Sequence, residues 1–247
     1  VFPVLKRILE KITGEASFYT SPTDMGVNRA GFAIINDDIT KEASKQEIIR
    51  RYFRYRCEYA MGFSDKETVQ RVELFLNDFN LKPEDRRVVL PARQAAQEAV
   101  ERNRGNEGIF CGAALELPDG RLVTGRNSPL MHAASSLVLN AIKTLAEIPD
   151  KIPLLSAQTI DSVRHLKENV LGAKSASLNV EEVLISLSLN AAANPMVQIA
   201  LERLKDLRGC EAHMTHIPTP GDEAGLKRLG LNVTSDSNFS SKDLFVT

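Results

Sequence analysis

The chain is short of thiols, of net charge and of long apolar runs. It has three cysteines in 247 residues, Cys57, Cys111 and Cys210. That odd number, their wide spacing and the lack of a signal-peptide pattern argue against a disulfide framework and predict a reducing, cytoplasmic setting. Lys and Arg total 31 against 32 Asp and Glu, a formal net charge of −1. No global field then draws the chain to nucleic acid or to an anionic membrane, and neither is expected as a partner. No apolar stretch is long enough to span a bilayer. No convincing internal repeat or long low-complexity tract appears.

What is present is enough sequence for one large or two modest domains. The chain opens on Val1-Phe2-Pro3 without a methionine, and the expectation is a piece of a longer protein. Val4, Leu5, Ile8, Leu9 and Ile12 share a face, predicting a helix over 3–13 that Gly14 stops. Residues 16–38 break the periodicity and read as an irregular polar loop. A helix is predicted over 41–61, ending at Gly62. Ser64 with Glu67 three residues on forms a capping box for the next, which runs to about Asn80 and turns Val69, Val72, Leu76 and Phe79 inward. Pro83 starts a third helix to about Asn103, kinked at Pro91. Residues 1–105 are thus expected to be a helical domain.

Residues 105–108 mark a boundary, beyond which the period becomes two. Ile109, Cys111, Ala113 and Leu115 alternate with Phe110, Gly112, Ala114 and Glu116, and Asp119-Gly120 turns a hairpin into a return strand over 121–125. Helices follow at about 131–148, 156–171, 179–193 and 195–208, with Asn194-Pro195 separating the last two. Gly209 ends the run. A strand over 211–217, a short helix over 222–229 and a strand over 231–235 complete the pattern. The fold class is therefore α/β: an N-terminal helical unit plus a small mixed sheet over 106–247, with a helical insertion at about 150–208.

Several constellations carry candidate chemistry, each beside a plainer reading. Ser21, Thr23, Asp24 and Asn28, with Gly26, gather oxygens and backbone donors that could hold a ligand; the plainer reading, which composition alone favours, is a surface loop capping a helix through Thr23 or Asp24. His132 stands at a helix start after Asn127, where it could polarise a substrate beside an anion-friendly helix end, or simply pack. In the 210–216 stretch, Cys210 and His216 fall on one strand face and Glu211 and His213 on the other. Glu211 with His213 is the better functional pair, a carboxylate orienting an imidazole. Zinc would need His132 as a third ligand, and no zinc is expected. Thr219 and Gly221 precede a helix whose first turn could seat phosphate, although Asp222 and Glu223 can satisfy the same donors. Arg50, Arg51, Arg54 and Arg56 interleave with aromatics, which at helical spacing are expected to pack while the arginines meet Glu47 or Glu58. Cys57 and Cys111 suit buried packing positions.

The pattern over 109–143 and 210–236 resembles a zinc-deaminase fold without its ligands. Where deaminases carry His-x-Glu the chain has His132 and Ala134, and the Pro218–Asp222 stretch has no thiols. Residues 21–28, 43–52, 127–143 around His132, and 209–213 together resemble the bacterial domain-of-unknown-function 1846 family, whose members are about twice this length. The resemblance implies a C-terminal half with deaminase-like topology. It also implies an N-terminal half, absent from the chain, of α/β type with a glycine-rich phosphate-binding loop. The zinc-protease label that some members carry has no basis here, because the chain has neither His-Glu-x-x-His nor a phosphate loop.

Two functions follow as expectations. One is a metal-independent enzyme domain for a small polar metabolite, phosphorylated or not, or a nucleotide. His132, Glu211 and His213 would do its chemistry, and Ser21, Thr23, Asp24, Asn28, Asn127, Thr219 and Gly221 would bind ligand. The other is a non-catalytic half that supports or dimerises a nucleotide-binding-like half. A small-molecule ligand, that other half and a second copy of the chain are the expected partners; any cofactor is left open.

Overall fold

The computed structural model describes residues 10–12, 14 and 37–240. The helix expected over 3–13 lies mostly outside them. So does the polar loop, with Ser21, Thr23, Asp24 and Asn28.

Helix α1 (Asp37–Ala60) begins within the stretch read as loop and runs to the turn at Gly62. Helix α2 (Lys66–Asp78) is capped by Asp65, whose carboxylate accepts from Thr68 N at 2.6 Å. The cap therefore stands one residue beyond Ser64, where the Asp65 carboxylate reaches the third N–H of the turn. Val69, Val72 and Leu76 face inward as expected, while Phe79 is half-exposed past the helix end. The helix predicted from Pro83 is divided. A single 3₁₀ turn (Pro83–Asp85) is followed by extended backbone at Arg86, and helix α3 (Val89–Glu101) starts afresh. Pro91 lies in the first turn of α3, where its missing N–H has no intrahelical partner to lose, so it causes no kink.

Strands β1 (Gly112–Glu116) and β2 (Leu122–Arg126) form the predicted hairpin, with Leu115 opposite Val123. Helix α4 (Ala133–Leu145) follows, then α5 (Ala157–His165) with a wider turn at Leu166–Val170, α6 (Val180–Ala191), and α7 (Pro195–Glu202) with a 3₁₀ turn. Strand β3 (Glu211–Met214), helix α8 (Pro220–Arg228) and strand β4 (Asn232–Ser235) close the described chain. The sheet order is β2-β1-β3-β4. Strand β1 is antiparallel to both neighbours, and β3 is parallel to β4.

Side-chain alternation puts Ala113, Leu115, Ala212 and Met214 on one face, packed into the main core with Leu137, Val138 and Ile142 of α4 and Val183 and Leu187 of α6. The opposite face carries Ala114, beside Val88 at the N-cap of α3 and Ala92 within it. Two glycines permit the close helix–sheet approaches. A Cβ at Gly112 would meet Ala92 O at 2.2 Å, and one at Gly125 would meet Leu137 N at 2.4 Å.

The described chain is thus a mixed α/β protein with helices on both faces of a four-stranded mixed sheet. The deaminase-like likeness is not supported beyond this. A hairpin, helix, strand, helix, strand succession is common to many layered α/β proteins, and the residues that would make it specific are missing from the sequence.

Candidate functional site

A cavity of about 320 Å³ opens where the end of β3, the start of α4 and the start of α8 meet. Its position follows from backbone pairing. His132 N donates to Leu178 O and Leu178 N to Leu130 O, a parallel bridge that draws the 177–180 segment against the entry to α4. Val180 N then donates to Asp222 Oδ1 at 3.0 Å, which ties α6 to the first turn of α8. Gly221 makes that approach possible, since a Cβ there would lie 2.5 Å from Asn179 Nδ2.

Asp222 is buried, and its Oδ2 meets His132 Nδ1 at 2.7 Å and accepts from Thr219 Oγ1 at 2.7 Å. With the carboxylate as acceptor, Nδ1 of His132 carries the proton. Its Nε2 then presents a lone pair, with no protein partner among the described residues. His216 lines the same cavity. Thr215 Oγ1 accepts from Gly112 N at 3.0 Å, and His216 Nδ1, 2.9 Å away, is the acceptor within reach of its own proton. That arrangement gives the Thr215 proton an acceptor when His216 carries its own proton on Nε2. Burial holds the His216 pKa below the ordinary imidazole value, against the raising effect of Asp236. One imidazole therefore offers an acceptor and the other a donor.

Cys111 also lines the cavity, but burial first and the Asp222 charge second push its thiol up to about 12. It stays protonated and unreactive at neutral pH. Asn127 stands in the wall with both ends of its amide committed, Oδ1 accepting from Cys111 N at 2.7 Å and Nδ2 donating to Ile109 O at 2.9 Å. It shapes the wall and offers a ligand little.

Of the residues singled out from sequence, His132, Asn127 and Thr219 meet here, and Gly221 backs the site. Glu211 and His213 are not brought to it. They lie on the opposite sheet face, as alternation with Cys210 and His216 requires. Glu211 pairs with the buried Arg86 and, at 3.5 Å, with Arg50. Arg86 also donates to Thr234 Oγ1 and to the carbonyls of Ala212 and Asn232. His213 is fully buried, with Nδ1 2.9 Å from Thr234 Oγ1 and its ring against Phe53. Among the described residues no three His, Cys, Asp or Glu side chains are grouped to hold a metal ion.

Asp222 and His216, on which the cavity's imidazole arrangement depends, are not in the sequence-derived set. Asp222 reads locally as a helix-start acid, and nothing near it indicates a partner 90 residues away. His216 is signalled only by its alternation opposite His213, which does not say which sheet face holds the cavity.

Comparison with known proteins supplies the wider setting. Residues 84–245 match the model described as domain of unknown function DUF1846, C-terminal, and residues 1–80 match its N-terminal counterpart. The resemblance had implied a C-terminal half alone; the match over 1–80 corrects this, since that stretch belongs to the N-terminal model. A UPF0371 protein of Clostridium tetani is 48% identical over 244 residues, and one of Clostridium botulinum strain Alaska E43 is 51% identical over 244 residues. Each alignment covers 99% of this chain and 48% of the relative, so the chain spans about half the length of the curated relatives it matches. No helix among the described residues is long and apolar enough to cross a membrane. The chain belongs to the DUF1846 family, a family of unknown function.

Proposed function

We propose that the cavity at His132 is an acid–base site for a small polar metabolite or nucleotide, and that it works through its own side chains. The observation that carries this reading is the pairing of Asp222 with His132 Nδ1 across from the His216 ring. In the proposed step, His132 Nε2 takes a proton from a substrate hydroxyl or an attacking water. Asp222 fixes the tautomer and stabilises the imidazolium that forms. His216 Nε2–H donates to the oxygen on which negative charge grows. A metal is not invoked, because among the described residues no three His, Cys, Asp or Glu side chains are grouped to hold one. Glu211 and His213 have no direct part in this scheme.

The test is a binding and turnover screen against nucleotides, phosphorylated sugars and small esters, using the wild-type chain, His132→Gln and Asp222→Asn. The asparagine variant keeps an acceptor for Val180 N–H while removing the charge. The expected result is a turnover signal that either substitution lowers by on the order of 10²–10⁴-fold. Identical signals from all three proteins across the panel would refute the assignment.

A further inference from the structure

A second groove, of about 440 Å³, runs between the end of β2, the outer side of α4 and the segment leading into α5. Asn127 is the one residue it shares with the His132 cavity. Its charged lining is of one sign: Arg104, Arg126 and Lys143, with no Asp or Glu among the described residues that line it. Compensation nearby is thin. Arg126 reaches Glu98 at 3.2 Å, but that exposed carboxylate is shared with Arg102 at 3.9 Å. Lys143 Nζ donates to the Asp150 carbonyl at 2.8 Å, which leaves its charge unneutralised. Arg104 has no ion pair among the described residues.

Neutral donors accompany the cations. Ser128 Oγ accepts from Leu130 N and Met131 N, so its own proton is left to donate elsewhere. Ser136, in the first turn of α4, has no side-chain hydrogen bond among the described residues. The other wall is apolar, built from Met131, Leu139, Leu154 and Leu155. Like charges gathered beside a low-dielectric wall raise the local potential and favour an anion. Arginine and hydroxyl donors suit phosphate oxygens, and the apolar wall suits a flat organic group attached to them.

We infer that this groove binds a phosphate monoester with an apolar or aromatic substituent. The phosphate meets Arg104, Arg126 and Lys143, and the organic part lies along Met131 and the leucines. The site stands independently of the His132 reading, since His132 does not line this groove.

Isothermal titration of the whole chain with phenyl phosphate, inorganic phosphate and phenol tests it. Phenyl phosphate is expected to bind at least tenfold more tightly than inorganic phosphate, phenol not measurably, and the affinity to fall as salt rises. Arg104→Gln with Lys143→Gln is expected to weaken phenyl phosphate at least tenfold. The single Arg104→Gln change, at an exposed side chain, is expected to weaken it several-fold and covers the case in which the double variant misfolds. His132→Ala is expected to leave the affinity unchanged. Undetectable binding of phenyl phosphate, parity with inorganic phosphate, or affinity that survives loss of the cations but not of His132 would each overturn the inference.

Discussion

At the scale of single residues, His213 and His216 show how alternation along one short segment separates two environments. The sequence places them on opposite strand faces, and so they lie: His216 at the cavity, His213 sealed under Phe53. What alternation cannot say is which face has a cavity, because that depends on helices arriving from elsewhere in the chain. His213 Nε2 has no hydrogen-bond partner among the described residues, and Asp236 Oδ1 is 3.6 Å away. Burial lowers the His213 pKa below 6.5, the neighbouring Asp236 opposes this, and Arg86 and Arg93 add to the lowering. The unfolded chain therefore takes up this proton at higher pH than the folded one. The His213 contribution is fully present above about pH 6.5 and is lost as pH falls from there through the folded pKa. Asp236 acts at lower pH. Burial pushes its carboxyl up, but His213 and the two-pronged contact from Arg93 outweigh this and hold it at about 2. Its contribution is present above the ordinary carboxylate value of 3.8 and is lost as pH falls towards 2. Thermal unfolding of the wild type is thus expected at lower temperature at pH 5.5 than at pH 7.5, with a smaller drop in His213→Gln. Equal drops in the two proteins would show that His213 does not titrate as described.

At the scale of elements, most helices and strands were legible because their signals are local. The hairpin turn, the Asn194-Pro195 break and the inward spacing of Val69, Val72 and Leu76 in α2 are written in neighbouring residues. The misreadings arise where tertiary contacts override local preference. Arg86 interrupts the predicted third helix because its guanidinium is drawn under β3 and β4, an interaction spanning more than a hundred residues. Gly125 is another such position. In sequence it is an ordinary strand glycine; in the fold it is where α4 lies directly on β2. A Cβ would meet three backbone atoms of α4, Leu137 N, Ala133 O and Leu137 Cα, none of which can swing away. Gly125→Ala is therefore expected to lift the start of α4 and cost roughly 2–3 kcal/mol, measured by urea unfolding. A change below about 0.5 kcal/mol, the range usual for surface substitutions, would contradict that packing.

At the scale of the whole molecule, the sheet divides the polar chemistry. One face carries the Arg86, Glu211 and His213 network beneath α1 and α3, with Arg86 and His213 buried and Glu211 part-exposed. The other leads to an open cavity where His132, Asp222 and His216 converge. The sequence names His132 but not its surroundings, because the cavity forms only when residues 130–132, 177–180 and 219–222 are brought together by the Leu178 bridge and the Val180–Asp222 bond. The central claim is that these contacts give the two imidazoles opposite tautomers, one prepared to accept a proton and one to donate. Long-range ¹H–¹⁵N correlation of the histidine ring nitrogens at pH 7.5 reads this directly. The account predicts Nδ1–H with bare Nε2 for His132 and Nε2–H with bare Nδ1 for His216; the same tautomer on both rings, or the reverse assignment, would contradict it.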